Sequence, residues 1–256
     1  MKSAILPLVC VGLALGCREH TDSTEPPGIK EITFSASDGG KVFADFYPAS
    51  KTKADPVILM FHQAGSNAGE YSQIAPEVKN WGFDCLAVDQ RSGGDMFDRD
   101  NRTANAAKGP KDYMDAYADL VGAVTWAKGQ GYKTIIAWGS SYSSALCLRL
   151  ASENPSVNGL ILFSPGEYFD QKALVQGWAS TVKVPVYFAC TRDELPDRQP
   201  IFHALVDQKG SVLDSIQGGI HGSSTCIPDK APGVAAQYME HVQQFLESFG
   251  GKKVGR

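Results

Sequence analysis

The chain has 256 residues, of which 43% are hydrophobic and 20% charged. This is the composition of a globular protein of one domain, or at most two, with enough apolar side chain to fill a core. A net charge of −4 and the lack of any Lys/Arg cluster argue against a nucleic-acid surface.

The first elements in chain order lie ahead of the fold. Met1-Lys2-Ser3 is a short positive start, and residues 4–15 form an apolar stretch too short to cross a membrane as a mature helix. Residues 1–16 therefore read as a secretory signal peptide. The segment Ala14-Leu15-Gly16-Cys17 resembles the lipobox of bacterial lipoproteins, with Ala14 where Leu is more usual. The resemblance implies that Cys17 becomes the lipidated first residue of an exported protein, periplasmic or at the cell surface and anchored to a membrane. Residues 17–29, with paired Pro26 and Pro27, read as a polar tether. Residues 30–250 are expected to form the folded domain and 251–256 a tail.

From residue 30 the pattern alternates between strand and helix. Residues 32–34 and 42–46 flank Asp38-Gly39-Gly40 and predict a hairpin. Residues 57–61 are a continuous apolar run of the buried-strand type. A helix over 69–80, a strand over 85–88 and a helix over 111–128 follow. Then come a strand over 134–138, a helix over 142–153, a strand over 159–163 and a short helical piece over 170–180. The chain ends with a strand over 184–189, a helix over 198–208, a strand over 212–216 and a closing amphipathic helix through Val234, Tyr238, Val242, Phe245 and Phe249. Such alternation predicts a mostly parallel sheet covered on both faces, an α/β fold. Sites in such folds gather at the carboxyl ends of the strands.

The most informative segment is Trp138-Gly139-Ser140-Ser141-Tyr142-Ser143, where an apolar strand runs straight into a helix through Gly-x-Ser-x-Ser. A nucleophile elbow needs this arrangement: a central Ser on a strained turn, with small residues two before and two after it. Gly139 and Ser143 meet that need, Ser143 replacing the usual second Gly, and Ser141 is the candidate nucleophile. A serine hydroxyl needs a base. Of five histidines, His20 lies in the tether, His203 and His241 in predicted helices, and His62 at a strand end, where it reads as a structural residue beneath the site. His221 lies in a Gly-rich loop, Gly218-Gly219-Ile220-His221-Gly222, from which an imidazole can swing over a strand end. The base needs an orienting carboxylate; Asp193 or Glu194 stands after the strand over 184–189, with Asp193 favoured by its register. The order Ser, acid, His is that of α/β-hydrolases. The oxyanion donors expected are the Tyr142 N–H, directly after the nucleophile, and a second from the loop after residue 61, Ala64 first and Gln63 next.

These segments resemble the dienelactone-hydrolase-like group of α/β-hydrolases over nearly all of residues 30–249. They are Phe61-His62-Gln63-Ala64-Gly65, Ala87-Val88-Asp89, Gly139-Ser140-Ser141-Tyr142-Ser143, Thr191-Arg192-Asp193 and Ile220-His221-Gly222. The resemblance implies an eight-stranded sheet and hydrolysis of a carboxylic ester or related acyl bond. Dienelactone hydrolases proper use Cys, so Ser141 places the chain with the serine esterases of that group. Only residues 164–183 separate two successive strands, which leaves no room for a large lid domain; Phe97, Tyr168, Trp178 and Leu195 are candidate walls of an open site. A peptidase or amidase with the same triad, and a non-catalytic surface-binding protein, are the competing readings. No phosphate-binding, dinucleotide-binding or metal-ligand spacing is present, so no cofactor or metal is expected, and the partner is a small-molecule or acyl-ester substrate. In this fold the strands before Cys190 and Cys226 should be neighbours, which predicts a disulfide between these two, while Cys85 and Cys147 read as buried thiols.

Overall fold

An unbroken apolar run such as residues 57–61 is stable as a strand only where both of its faces are covered. A computed structural model of the chain describes Met1 and residues 28–50, 56–109, 111–205 and 210–250. Apart from Met1, Gly28 and Ile29, the expected signal peptide and tether, with Cys17, lie outside the described residues, as does the expected tail.

Eight strands form one sheet: β1 (Lys30–Ser35), β2 (Lys41–Tyr47), β3 (Val57–Phe61), β4 (Asp84–Asp89), β5 (Ile135–Ser140), β6 (Val157–Phe163), β7 (Val186–Ala189) and β8 (Val212–Asp214). The helices are α1 (Ile74–Asn80), α2 (Arg102–Ala106), α3 (Tyr117–Gly129), α4 (Tyr142–Glu153), α5 (Leu174–Ala179), α6 (Leu195–His203) and α7 (Ala235–Leu246). The strand order is β1-β2-β4-β3-β5-β6-β7-β8. The pairs β1–β2 and β2–β4 are antiparallel, and every other pair is parallel. This is the mostly parallel eight-stranded α/β-hydrolase sheet expected from the sequence, and among the described residues no large lid stands over it.

Period-two alternation along the strands divides the core. Leu59, Phe61, Ala137, Leu160, Leu162 and Phe188 pack beneath α3, α4, α5 and α6. Ile58, Met60, Ile136, Trp138, Ile161 and Phe163 face the other way, under α1 and α7. The closing helix turns Tyr238, Val242 and Phe245 inward as its periodicity predicts. Register then sets the site: Phe61 stands beside Val88 and Gly139, Ser140 beside Phe163, and Phe163 beside Ala189. The segments leaving β3, β5, β6 and β7 thus emerge side by side at one edge.

Several element boundaries differ from the sequence expectation. The expected helix over 69–80 divides into a 3-10 turn, Ala68–Tyr71, and α1, because the Asn67 side chain caps the turn by accepting the Gly69 N–H at 2.8 Å. The helix expected over 198–208 starts at Leu195, with Pro196 in its first turn, where a missing N–H costs nothing. The short α2, capped by Asn101 at the Ala104 N–H, lies in what reads as a polar loop.

Candidate active site

At the end of β5 the chain makes an abrupt turn into α4. Ser141 takes φ 59° and ψ −126°, a conformation that a non-glycine residue adopts only under strain. The strain is held by a hydrogen bond from the Ser141 N–H to the Phe163 carbonyl at 2.8 Å. Close packing explains Gly139: a Cβ there would lie 2.6 Å from both the N and Cα of Ser144. Ser143 fits the position of the usual second glycine and uses its hydroxyl, donating to the His62 carbonyl at 2.5 Å.

His221 reaches over from the loop after β8, and its Nε2 lies 2.7 Å from the Ser141 Oγ. Its Nδ1 makes a short hydrogen bond to the Glu194 carboxylate. The structure therefore brings Ser141 and His221 together as the sequence suggests, but the acid that joins them is Glu194. Asp193 is exposed to solvent and makes no contact with His221. Helical phase is the reason for the correction. The chain begins to coil at Thr191, whose carbonyl accepts the Leu195 N–H at 3.1 Å and whose hydroxyl accepts the Glu194 N–H at 3.2 Å. Residue 194, three after Thr191, turns back over the strand end, and residue 193 turns outward.

Burial alone would raise the pKa of Glu194. Hydrogen bonds from His221, from the Ser164 hydroxyl at 2.7 Å and from the Thr191 N–H at 3.1 Å outweigh it and hold the carboxyl at about 2. Ser164, just after β6, also accepts the Gly222 N–H at 3.0 Å, so one hydroxyl links the acid to the histidine loop. Sequence reasoning missed Ser164; its place directly after a buried strand was the available signal.

Among the described residues, the main-chain N–H groups of Tyr142 and Ala64 donate to no protein acceptor. Tyr142 opens α4, where first-turn N–H groups are left unpaired. Its ring is buried, with its hydroxyl accepting from Gln90 at 3.0 Å and its face stacked on Tyr113 at 4.5 Å between centroids. The Gln63 N–H, the alternative second donor, is already given to the Glu70 carboxylate at 2.8 Å and is not available to an oxyanion. His62 lies fully buried beneath this loop. Its Nε2 accepts the Gln90 N–H at 2.9 Å and its Nδ1 faces the Gln63 carbonyl at 2.7 Å; burial pushes its pKa down to about 4.

Next to Tyr113, which stacks on Tyr142, lies an open cleft of about 580 Å³, walled by Tyr113, Met114, Tyr168 and Phe169, with Lys111, Asp112 and Asp170 exposed at its rim. The Tyr168 hydroxyl donates to the Ser164 carbonyl at 2.7 Å and accepts from the Arg198 guanidinium at 3.2 Å. Of the other expected wall residues, Trp178 packs edge-on against Phe169, Phe97 lies under the Lys230 ammonium, and Leu195 opens α6. None of these three lines the cleft. A larger hollow of about 800 Å³ between β8 and α7 contains none of the residues around Ser141. The bond expected between Cys190 and Cys226 is not formed: both are buried free thiols, like Cys85 and Cys147.

An eight-stranded sheet of this order, with a serine elbow after β5 and a histidine after β8, defines an α/β-hydrolase. A family model described as Hydrolase_4, serine aminopeptidase S33, matches residues 52–194, more than half of the chain, and the chain belongs to that family. No curated protein matches it. Its fold is similar to that of the Pyrococcus furiosus esterase Pf2001, with TM-score 0.66, 17% identity, and coverage of 86% of this chain and 90% of that one. A thermostable carboxyl esterase from Bacillus coagulans matches with TM-score 0.68 and 14% identity over 87% and 99% of the two chains. A dienelactone hydrolase from Anabaena variabilis matches with TM-score 0.65 and 17% identity over 88% and 99%.

Proposed function

We propose that the chain hydrolyses carboxylic esters through an acyl-enzyme on Ser141. The observation that carries the reading is the 2.7 Å contact between the Ser141 Oγ and the His221 Nε2, with Glu194 on the other ring nitrogen. In the first step His221 takes the hydroxyl proton as Ser141 attacks the carbonyl carbon. Glu194 accepts the Nδ1–H, fixes the tautomer and stabilises the imidazolium. The oxyanion takes hydrogen bonds from the Tyr142 and Ala64 N–H groups, which have no protein acceptor among the described residues. His221 then protonates the leaving alkoxide. In the second step it deprotonates a water, which releases the acid and restores Ser141. Side chains and peptide groups supply each proton and charge, so the cycle needs no cofactor.

The cleft walled by Tyr113, Tyr168 and Phe169 suits an apolar or aromatic substituent of a small ester. That the similar folds include an esterase and a carboxyl esterase supports the choice of ester. The family description favours a second reading, an aminopeptidase, for which Asp112 and Asp170 at the cleft rim would meet a substrate ammonium. Parallel assays of p-nitrophenyl esters and aminoacyl p-nitroanilides, on the wild type and Ser141→Ala, decide between them. Turnover of the esters alone, lost in the variant, is the expected result; turnover of the anilides in preference replaces it with the second reading.

Export and a lipid anchor on Cys17 complete the proposal. Detergent partitioning of native protein, lost in Cys17→Ser, is expected; a soluble wild type with a mature terminus beyond residue 17 would reject it.

A further inference from the structure

One buried carboxylate lies outside the triad and touches the segments that carry it. Glu70 belongs to the 3-10 turn Ala68–Tyr71 and is fully buried. Its Oε2 accepts the Gln63 N–H at 2.8 Å. Its Oε1 accepts the hydroxyls of Ser140 at 2.9 Å and Ser224 at 3.2 Å. The Ser140 Oγ already accepts the Ser223 N–H at 2.8 Å, and the Ser224 Oγ accepts from the Gln63 side-chain amide at 3.3 Å. The Glu70 carboxylate has only acceptors to offer, so each hydroxyl turns its own hydrogen towards it. Three donors converge on the carboxylate, and among the described residues no Lys, Arg or His pairs with it.

Ser140 precedes the nucleophile. Ser223 and Ser224 follow His221 by two and three residues. Gln63 precedes Ala64, and the peptide between them carries the Ala64 N–H. The Gln63 carbonyl is held by the His62 Nδ1 at 2.7 Å and the Gln63 N–H by Glu70. The orientation of the Ala64 N–H thus depends on two buried groups, His62 and Glu70. The turn bearing Glu70 is itself fixed: the Ala68 N–H donates to Asp89 at 2.7 Å and the Gly69 N–H to Asn67 at 2.8 Å.

We propose that Glu70 is a positioning residue that ties the nucleophile elbow, the oxyanion loop and the histidine loop into one unit, and so sets the rate of acyl transfer. A buried carboxylate without a cation is costly, and burial pushes the Glu70 pKa up. An apolar residue would avoid that cost but would leave three donors unsatisfied. A glutamine keeps only one acceptor oxygen for the three donors and puts an amide donor where the second oxygen was. The carboxylate is the side chain whose acceptors match this donor set.

The inference rests on the serine-hydrolase reading, and its test separates the two. Glu70→Gln, Glu70→Ala and Ser140→Ala are made in the full chain. For each, kcat and KM are measured on a p-nitrophenyl ester, with active sites counted by fluorophosphonate stoichiometry. Glu70→Gln is expected to lower kcat per active site about 10- to 100-fold, because misplacing a reacting group by an ångström costs that much; KM should change little. Glu70→Ala should lose more. The double variant Glu70→Gln/Ser140→Ala should lose less than the product of the single losses, since both break one network. A folded Glu70→Gln with wild-type kcat per site, or with fewer active sites of normal turnover, overturns the proposal. If Glu70→Gln does not fold, Ser140→Ala decides alone: it keeps the carboxylate and removes one donor, and an unchanged kcat overturns the proposal. Retained hydrolysis in Ser141→Ala would instead reject the serine-hydrolase reading and leave the Glu70 contacts as structure only.

Discussion

Glu194 holds the Nδ1 of His221 from the turn that opens α6, while its neighbour Asp193 points into solvent. The two carboxylates stand side by side in sequence and differ only in helical phase, so paired substitutions separate their roles. Glu194→Gln is expected to lower kcat on the order of 10²–10⁴-fold, since an amide cannot stabilise the imidazolium and disturbs the tautomer. Asp193→Asn should remain within about twofold of wild type, as expected of a surface substitution. Steady-state kinetics on one ester check both, and the opposite pattern would restore Asp193.

The elbow should tolerate no enlargement at Gly139. The added methyl of Gly139→Ala would press on the α4 backbone at 2.6 Å rather than on a flexible side chain. Overpacking of this kind costs about 1–3 kcal/mol, and a shift of the turn also moves Ser141. Thermal unfolding and kcat should therefore fall together. A variant with wild-type Tm and activity would show that the turn is looser than its geometry.

Acid sensitivity should come from His62 before it comes from the triad. Burial holds the folded His62 at about 4, whereas a histidine in the unfolded chain titrates near 6.5. Between those values the unfolded chain binds a proton that the folded chain refuses, so stability rises with pH there. The contribution is complete above pH ~6.5 and is lost as the pH falls to ~4, about 3 kcal/mol in all. Glu194, held at about 2 against an ordinary 4.5, adds a separate loss between pH ~4.5 and ~2. Tm measured from pH 8 to 4 should drop less steeply in His62→Asn than in wild type, whatever its starting value. Parallel curves would contradict the assignment.

The four cysteines of the domain should all be reduced. Cys190 and Cys226 are buried and unbonded, and burial pushes the Cys190 thiol up to about 12 and the Cys226 thiol well above its ordinary value. Alkylation without reductant should modify Cys85, Cys147, Cys190 and Cys226 in denaturant, and none of them quickly in the native protein. A Cys190–Cys226 cross-link found by mass spectrometry would reverse this.

The parts of the site that the sequence made legible are those that local pattern controls. The β5–α4 junction specifies the place of Ser141 because only a strand running into a helix through small residues makes that turn. His221 is legible because a Gly-rich segment after the last strand has few other uses. Glu194 ranks behind Asp193 in the sequence, because the phase of the first turn of α6 is set by the Thr191 carbonyl and hydroxyl contacts, which only the folded turn reveals. Glu70 left no signal: at the head of an amphipathic segment a glutamate reads as a solvated residue, and only the folded arrangement of Gln63, Ser140 and Ser224 gives it a reason to be buried. The cysteine pairing failed for a related reason. Neighbouring strands bring Cys190 and Cys226 to the same edge, but loop conformation decides whether the sulfurs meet.

The central claim is that Ser141 is a nucleophile activated by His221, and covalent labelling tests it most directly. Intact protein treated with a fluorophosphonate should carry one label, mapped by peptide mass spectrometry to Ser141. Labelling should disappear in Ser141→Ala and slow by several orders of magnitude in His221→Ala. A label on another residue, or equal labelling of wild type and Ser141→Ala, would contradict the account.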